Sequence, residues 1–504
     1  MGSLRDAVVG VMDVEPDAPA IEFEKEWTSW GAIKSAMDAL GALLDAAGGK
    51  DLRVGVLLRN RIEFVPAILQ TLASDRCLVT LNPVYPDDRI VEDIEKAGCP
   101  VVIAAQSDFQ RPGVMETLRA QGAACIEVTQ ADGALLCRLA HAATPALWSN
   151  RDAPDIAIEM MTSGTTGKPK RIPLARRNFE KAILDWALFE KGRDAQPKLR
   201  SGVTLLTMSF AHIGGVGGLF NTVTAGRKAC LLERFDVETY RDAIVRHRPK
   251  VASGPPTVLR MLLDANVARE DLQSLAAFRS GTAPLDPALA AEFTARYGIP
   301  VLQNYGATEF AGGVAGWTND DHKEFGVSKA GSVGRLNPGI EGRIVDPDTH
   351  AVRAPGEIGV LELRAAHLGD GKAFVRTTDL AVLDADGFLF IRGRADNAIN
   401  RGGYKIMPHD VADALNAHAA VKEACVVGVK DARLGEVPAA AYTLKEGAAA
   451  PSEQELRTFL RERLSPYQVP TAFLRLDEFP RTPSLKIDQA GVRALFAEAE
   501  AQRA

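Results

Sequence analysis

The densest chemistry in this sequence lies in Met161-Thr-Ser-Gly-Thr-Thr-Gly-Lys-Pro-Lys170, which packs two glycines, four hydroxyl side chains and two lysines into ten residues. Glycines let successive backbone N–H groups turn inward as an anion-holding nest, and the hydroxyl and ammonium groups add side-chain donors. That combination suits a phosphate. It is not a Walker A loop, because Gly-x4-Gly-Lys-Ser/Thr must open a helix, and here Pro169 follows Lys168 and Pro173 comes soon after. On these residues alone, a phosphate cradle and a flexible Gly/Ser/Thr connector both remain open.

Three other stretches carry chemistry-bearing residues. Ser209-Phe-Ala-His-Ile-Gly-Gly-Val-Gly-Gly218 sets one histidine before four glycines in five positions. A lone histidine is usually structural or solvated, but glycines this dense imply close backbone approach or open space beside it. Ser280-Gly-Thr-Ala-Pro284 and Asn304-Tyr-Gly-Ala-Thr-Glu309 each follow a short apolar segment, where α/β proteins commonly place ligand loops. Turn chemistry by itself would explain them equally.

The elements that must position these loops alternate in type. Arg53–Leu58, Cys77–Leu81 and Val101–Ala105 read as strands, with helices over Ile62–Ser74 and Asp88–Ala97 between them. This βαβαβ order predicts a largely parallel, helix-covered sheet. Gln130–Pro154 is less regular and reads as a connector; Phe179–Glu190 has helical spacing and Val203–Met208 reads as a strand. From about residue 330 the pattern shifts to short β segments, Gly342–Val345, Ile358–Arg364, Ala381–Leu383 and Phe388–Arg392, with Asp384-Ala-Asp-Gly387 as a hairpin turn. The polar, turn-rich stretch Gly393–Gly403 predicts a domain boundary. Beyond it, a small α+β unit follows: helix Val411–His418, strands Ala424–Val429 and Ala439–Leu444, a capping box at Ser452–Glu455 opening a helix to Leu464, a strand Phe473–Leu476 and a helical tail after Asp488.

The 504 residues are too many for one core, so two or more domains are expected. A net charge of −6 offers no basic excess for nucleic acid. Six scattered cysteines without CxxC spacing suggest neither a metal site nor a disulfide framework. The N-terminus lacks a signal-peptide core, and no apolar run approaches a membrane span, so a cytoplasmic protein with no membrane insertion is expected.

Taken in order, Thr162–Lys170, Gly281–Pro284, Tyr305–Glu309, Gly331–Gly334, Asp379, Gly393–Asp396, Gly402–Gly403 and Pro480–Lys486 resemble the motifs of the adenylate-forming superfamily. That superfamily includes acyl- and aryl-CoA synthetases, adenylation domains and luciferases. Eight segments in matching order cover nearly the whole chain. The resemblance implies an α/β fold: a large N-terminal domain of helix-covered mixed sheets with a small β-barrel-like subdomain (1–394), and a small mobile C-terminal α+β domain (395–504) with its hinge near Asp396. It implies ATP-dependent activation of a carboxylic acid through an acyl-adenylate, release of pyrophosphate, and transfer to CoA.

The site residues follow position by position from the resemblance. Thr162, Ser163, Gly164, Thr165, Thr166, Gly167 and Lys170 would cover the β- and γ-phosphates of ATP. Glu309 would hold Mg²⁺, a hard cation suited to carboxylate oxygen, and Thr308 would contact the α-phosphate. Gly281, Thr282, Ala283 and Tyr305 would frame the adenine, Asp379 the ribose hydroxyls, and Arg394 the ribose or phosphate. Lys486 matches the lysine that bridges carboxylate and α-phosphate. His212, Gly214, Gly215, Gly281, Asn304, Gly306 and Ala307 fall where the acyl pocket and its gate lie, His212 also being a catalytic candidate, and Gly402 and Gly403 fall where CoA passes. The small residues, with Gly217 and Gly218, suggest a roomy apolar pocket for a bulky aromatic, alicyclic or longer acyl acid. A homodimer is the default assembly.

Four departures from the family pattern stand out. Thr378 and Leu485 occupy positions where glycine is usual, Leu434 one where several aryl-CoA ligases carry tryptophan, and Gln468 one where a basic residue is common. The last two thin the CoA contacts. An enzyme that passes its acyl group to an amine or a separate carrier is therefore the alternative reading, with a non-catalytic nucleotide-binding protein a third.

Overall fold

The computed structural model describes residues 3–162, 170–186, 196–402, 404–431, 433–482 and 485–501. Its central feature is a seven-stranded sheet in the order Ala134–His141, Ala124–Ala131, Val101–Ala104, Arg53–Leu57, Cys77–Leu81, Ile156–Thr162, Lys170–Ala175. The four inner pairings from Ala124–Ala131 to Ile156–Thr162 are parallel, and the outermost strand on each side is antiparallel. Arg53–Leu57 and Cys77–Leu81 are buried along their whole length, as expected for strands covered on both faces.

The helix expected over Ile62–Ser74 begins later, as a 3₁₀ turn Ile62–Phe64 followed by the α-helix Val65–Ala73. Pro66 sets this start: it has no N–H to donate and is tolerated only in the first turn. A larger correction concerns Gln130–Pro154. It begins within a hairpin, whose strands Ala124–Ala131 and Ala134–His141 turn at Asp132-Gly133, both at positive φ (49° and 76°). Asp-Gly is the signature of such a turn. The outer strand hides its pattern, because it alternates between half-buried and exposed rather than buried and exposed.

Three more sheets complete the part of the chain before Gly393. Arg200–Leu206, Arg227–Leu231, Pro19–Phe23 and Glu26–Ser29 form one; Val251–Gly254, Ala277–Ser280, Val301–Ala307, Gly312–Gly316 and Arg335–Leu336 form the second. The third is the antiparallel meander Glu341–Val345, Ile358–Arg364, Val375–Leu383 and Leu389–Arg394, which is the subdomain expected to be barrel-like. Its last turn is the expected one, with Asp384 Oδ1 accepting from the N–H groups of Asp386 (3.0 Å) and Phe388 (2.9 Å). The C-terminal residues build a separate core on the hairpin Val421–Asp431/Gly435–Leu444, joined by Ile399–Arg401, Tyr404–Ile406 and Ala472–Arg475. The capping box forms, Glu455 N–H donating to Ser452 Oγ at 3.2 Å and Ser452 N–H to Glu455 Oε2 at 2.6 Å.

Two arginines, Arg53 buried and Arg171 half-buried, fix the arms of the glycine-rich loop. Arg53 forks onto Glu159 (2.9 and 2.6 Å) and also donates to Ala97 O at 2.5 Å, holding the strand Ile156–Thr162. Arg171 reaches Asp93 Oδ1 (2.6 Å) and Thr80 O (2.9 Å), holding the strand Lys170–Ala175. All six cysteines are free. One grouping, Glu22, Cys230 and His247, brings possible metal-ligating atoms together, but Arg246 lies 2.7 Å from Glu22 Oε1 and neutralises it as an ion pair.

Candidate active site

The site is assembled where two parallel strands, Ala277–Ser280 and Val301–Ala307, end at their carboxyl termini. Backbone leaving a sheet there exposes unpaired groups to a ligand. Gly281 follows the first strand directly, and a Cβ on it would lie 2.6 Å from Asn304 Oδ1. Glycine is therefore what allows the Asn304 carboxamide to lie across this turn. Thr282 takes a left-handed φ of 69°, and Ala283 is half-buried beside it.

Tyr305 and Asp379 meet across two sheets. The Tyr305 hydroxyl donates to Asp379 Oδ2, and the Tyr305 ring packs edge-on to Phe310 at 6.1 Å. Asp379 is held from behind, its N–H donating to Thr377 Oγ1 at 3.0 Å while that hydroxyl donates to Leu361 O at 2.8 Å. Thr378, on the opposite side of the strand, is exposed. Arg394 is the cross-strand partner of Asp379 and forks onto Asp396 at 2.9 and 2.7 Å. Burial raises the Asp379 pKa, opposed by the Tyr305 hydrogen bond and the Arg394 charge. Burial, with the neighbouring carboxylate, also raises that of the Tyr305 phenol. A carboxylate has about four lone-pair positions, so Asp379 retains acceptor capacity after binding Tyr305.

Thr308–Phe310 is a single 3₁₀ turn, and the strand Lys170–Ala175 lies against it. Glu309 is exposed and has no hydrogen bond or ion pair among the described residues, yet its charge is felt by Tyr305, Asp379 and Arg394. Unpaired carboxylate oxygens at this position fit a divalent cation. Thr162 and Lys170 are directly opposed in the hairpin register. Ser163, Gly164, Thr165, Thr166 and Gly167, the loop between them, lie outside the described residues, as does Gly403.

His212 and Lys486 form the second cluster. His212 caps the helix Ile213–Thr224. The turn before it is pinned by Asn60, which accepts from Phe210 N–H at 2.8 Å and donates to Met208 O at 2.9 Å. Burial, together with the nearby Lys486 ammonium, pushes the His212 pKa down to about 4, and burial also lowers that of Lys486. At neutral pH an uncharged imidazole thus faces the lysine. The expectation of a uniformly roomy pocket does not hold for these glycines. A Cβ on Gly215 would lie 2.1 Å from Ser209 O, one on Gly214 2.8 Å from Met208 Cε, and one on Gly306 2.2 Å from Gly312 O. Such glycines permit backbone and side chains to close in; Gly217 alone of the cluster 214–218 has nothing within 4 Å.

Gly402 stands apart from both clusters, with its N–H donating to Leu434 O at 2.8 Å and its Cα facing the Leu434 side chain. Gln468 is turned to its own backbone, accepting from Ser465 N–H at 3.0 Å. Sequence reading missed Asn60, Thr257 and Arg481. Asn60 positions His212 from 150 residues upstream, a distance at which no local spacing carries a signal; Thr257 and Arg481 both reach the carbonyl next to Lys486.

Comparison with known proteins follows this geometry. The model of the AMP-binding enzyme family matches residues 11–371, and that of the AMP-binding enzyme C-terminal domain matches 410–486. The chain is 28% identical to 4-coumarate–CoA ligase-like 2 of Arabidopsis thaliana, over 93% of this chain and 85% of that protein. It is 30% identical to the 2-succinylbenzoate–CoA ligase of Bacillus velezensis, over 94% of each. Among solved structures it resembles the amide bond synthetase McbA from Marinactinospora thermotolerans, with a TM-score of 0.80, 25% identity and coverage of 98% of this chain and 100% of that one. It also resembles the o-succinylbenzoate CoA synthetase of Bacillus subtilis in complex with its acyl-adenylate intermediate, with a TM-score of 0.75, 25% identity and coverage of 97% and 98%.

Proposed function

The chain belongs to the AMP-binding enzyme family, and from that premise we propose that it joins a carboxylic acid to the α-phosphate of ATP, releases pyrophosphate, and transfers the acyl group to CoA. The observation that carries this reading is the Tyr305–Asp379–Arg394 cluster, whose charges are felt together with that of Glu309, with Lys486 brought near His212 from 274 positions later in the chain. The substrate carboxylate is itself the nucleophile: one of its oxygens forms the new bond to the α-phosphorus, and the bond to the pyrophosphate oxygen breaks. The obstacle is bringing an anion up to a polyanion, so catalysis consists of positioning and charge neutralisation.

In this mechanism Lys486 bridges the carboxylate and the α-phosphate, and Thr308 contacts the latter. The low pKa of His212 keeps the imidazole neutral, which leaves Lys486 as the cation at the reacting end. Asp379 accepts the ribose hydroxyls, Tyr305 and the 281–283 turn frame the adenine, and Arg394 adds charge at the ribose or phosphate. Glu309 would hold Mg²⁺, which when bound would neutralise charge on the departing phosphates. Thr162, Lys170 and the loop between them cover those phosphates, and Gly402–Gly403 border the path of CoA. We assign 1–394 to a large domain and 395–504 to a small one, turning near Asp396 between half-reactions in the cytoplasm.

A second reading has its own support. Leu434 fills the place of an aromatic CoA contact against Gly402, and Gln468 supplies no charge; an amine or separate carrier would then take the acyl group. Pyrophosphate release over a panel of carboxylic acids, with and without CoA, followed by mass spectrometry, separates the two. An acyl-CoA product is expected. An adenylate that ignores CoA but is consumed by an amine would replace this reading with the second, and silence from every acid would favour a non-catalytic nucleotide-binding protein.

A further inference from the structure

Lys486 follows Leu485, a residue of the C-terminal region that contacts the large domain through both its carbonyl and its side chain. Leu485 adopts a left-handed φ of 62°, a conformation that favours glycine. Its carbonyl accepts from Thr257 Oγ1 at 3.0 Å and from Arg481 Nη1 at 3.2 Å, and Arg481 Nη2 is in turn fixed by Glu423 at 2.7 Å. The Leu485 side chain packs on the hydrophobic core that contains Val258, Leu259 and Leu262. Within its own turn, Leu485 N–H donates to Thr482 O (2.9 Å) and Thr482 N–H to Lys486 O (2.8 Å). A side chain that settles into the other unit's core gives the left-handed backbone a reason to persist without glycine.

Thr257 opens the helix Pro256–Asp264, and Asp264 closes it with an ion pair to Lys422 at 2.6 Å. One helix therefore touches the C-terminal region at both ends, about 10 Å apart at 1.5 Å rise per residue. Resting on the function proposed above, we infer that Thr257 is a positioning residue: together with Leu485 it clamps the backbone beside Lys486 and so sets the ammonium into the site for adenylation. The same clamp must open before the acyl group is transferred, because the small domain can turn only when the Leu485 carbonyl and side chain leave this helix. It consists of one neutral hydrogen bond, a longer one from the Arg481 guanidinium to Thr257 Oγ1 at 3.4 Å, one apolar contact and one solvent-facing ion pair, each a modest contribution.

Three variants test this: Thr257→Val, which keeps shape and loses the hydroxyl that donates to Leu485 O and accepts from Arg481 Nη1; Thr257→Ser, which keeps the hydroxyl; and Leu485→Gly, which keeps the backbone and loses the side chain. With the most active acid of the panel and no acceptor, pyrophosphate release in a single turnover should fall about three- to tenfold in Thr257→Val, as for loss of the hydroxyl's modest hydrogen bonds, and recover in Thr257→Ser. Product formation from chemically made acyl-adenylate should be unchanged or faster. A second readout needs no substrate: zero-length carbodiimide coupling of Lys422 to Asp264, measured by mass spectrometry, should drop in Thr257→Val and Leu485→Gly. Equal slowing of both half-reactions, or an undiminished cross-link in both variants, overturns the clamp. If no acid releases pyrophosphate from the wild-type protein, the proposed function fails while the cross-link still decides for or against the docking.

Discussion

The nucleotide side and the lysine side of this site are held by different kinds of contact. On the nucleotide side, side chains are fixed by a desolvated forked ion pair and relayed hydrogen bonds inside the sheets: Arg53 on Glu159, and Tyr305 on Asp379, which Thr377 holds from behind. On the lysine side, Lys486 depends on a carbonyl shared by Thr257 and Arg481, a half-buried leucine and a surface pair, Lys422–Asp264. A forked, desolvated pair keeps one geometry, whereas solvent-facing contacts exchange with water. Under the proposed function, the difference separates groups that would serve both half-reactions from one that would serve a single step: ATP would stay where it binds, and the lysine would come and go.

Disrupting the rigid side should have the largest effect. Arg53→Met strands Glu159 in a nearly dry position and should lower stability by about 3–5 kcal/mol, the range for a broken buried pair. Denaturant unfolding checks this, and a midpoint equal to wild type would mean that the fork does not anchor the loop's arm. Next comes Lys486→Ala, which should slow adenylation on the order of 100- to 1000-fold, as for loss of a transition-state donor. Conversion of made acyl-adenylate to product should survive, since that step uses the rotated domain; equal loss of both would refute the assigned role and erase the contrast between the two sides.

A smaller loss is expected from Asp379→Ala. Two charge-assisted hydrogen bonds to ribose disappear, at most about 3 kcal/mol each, and ATP affinity measured by calorimetry should weaken accordingly. Unchanged affinity would move the ribose elsewhere. The smallest effect concerns pH. The pKa of His212 is lowered from an ordinary 6.5 to about 4, so the unfolded chain binds the proton more readily than the folded one. Its contribution to stability is complete above pH 6.5 and is lost as pH falls toward 4. The difference in unfolding free energy between wild type and His212→Asn should shift over that window and be flat above it; a flat difference throughout would place His212 in water.

Much of this arrangement was legible in the sequence, for reasons that differ by residue. The parallel strands Arg53–Leu57 and Cys77–Leu81 announce themselves as unbroken apolar runs. The Asp384–Gly387 turn and the Ser452–Glu455 cap are local chemistry, readable within four residues. The hairpin ending at His141 was missed because its outer strand has no fully buried face, although Asp132-Gly133 marked its turn. The glycines around His212 misled in a different way. Small side chains look the same in sequence whether they border a cavity or a neighbouring backbone, and Gly215 borders the Ser209 carbonyl. Asn60 and Thr257 were invisible because their partners lie 150 and 228 residues away, and hydrogen bonds of that span leave no period in the chain.

That overlooked hairpin also bears on how the protein behaves in concentrated solution. Among the described residues, Ala134–His141 is the last strand of the seven-stranded sheet, so one row of its amides pairs with no strand there, and Leu136 and Leu139 are about half exposed on it. An open edge of this kind is a template for another strand. Arg138, tied to Glu127 at 2.9 Å, is the single strongly charged residue in the segment. A charge on an edge strand opposes pairing with another chain, and a protein without it would trade colloidal stability for nothing the active site can use.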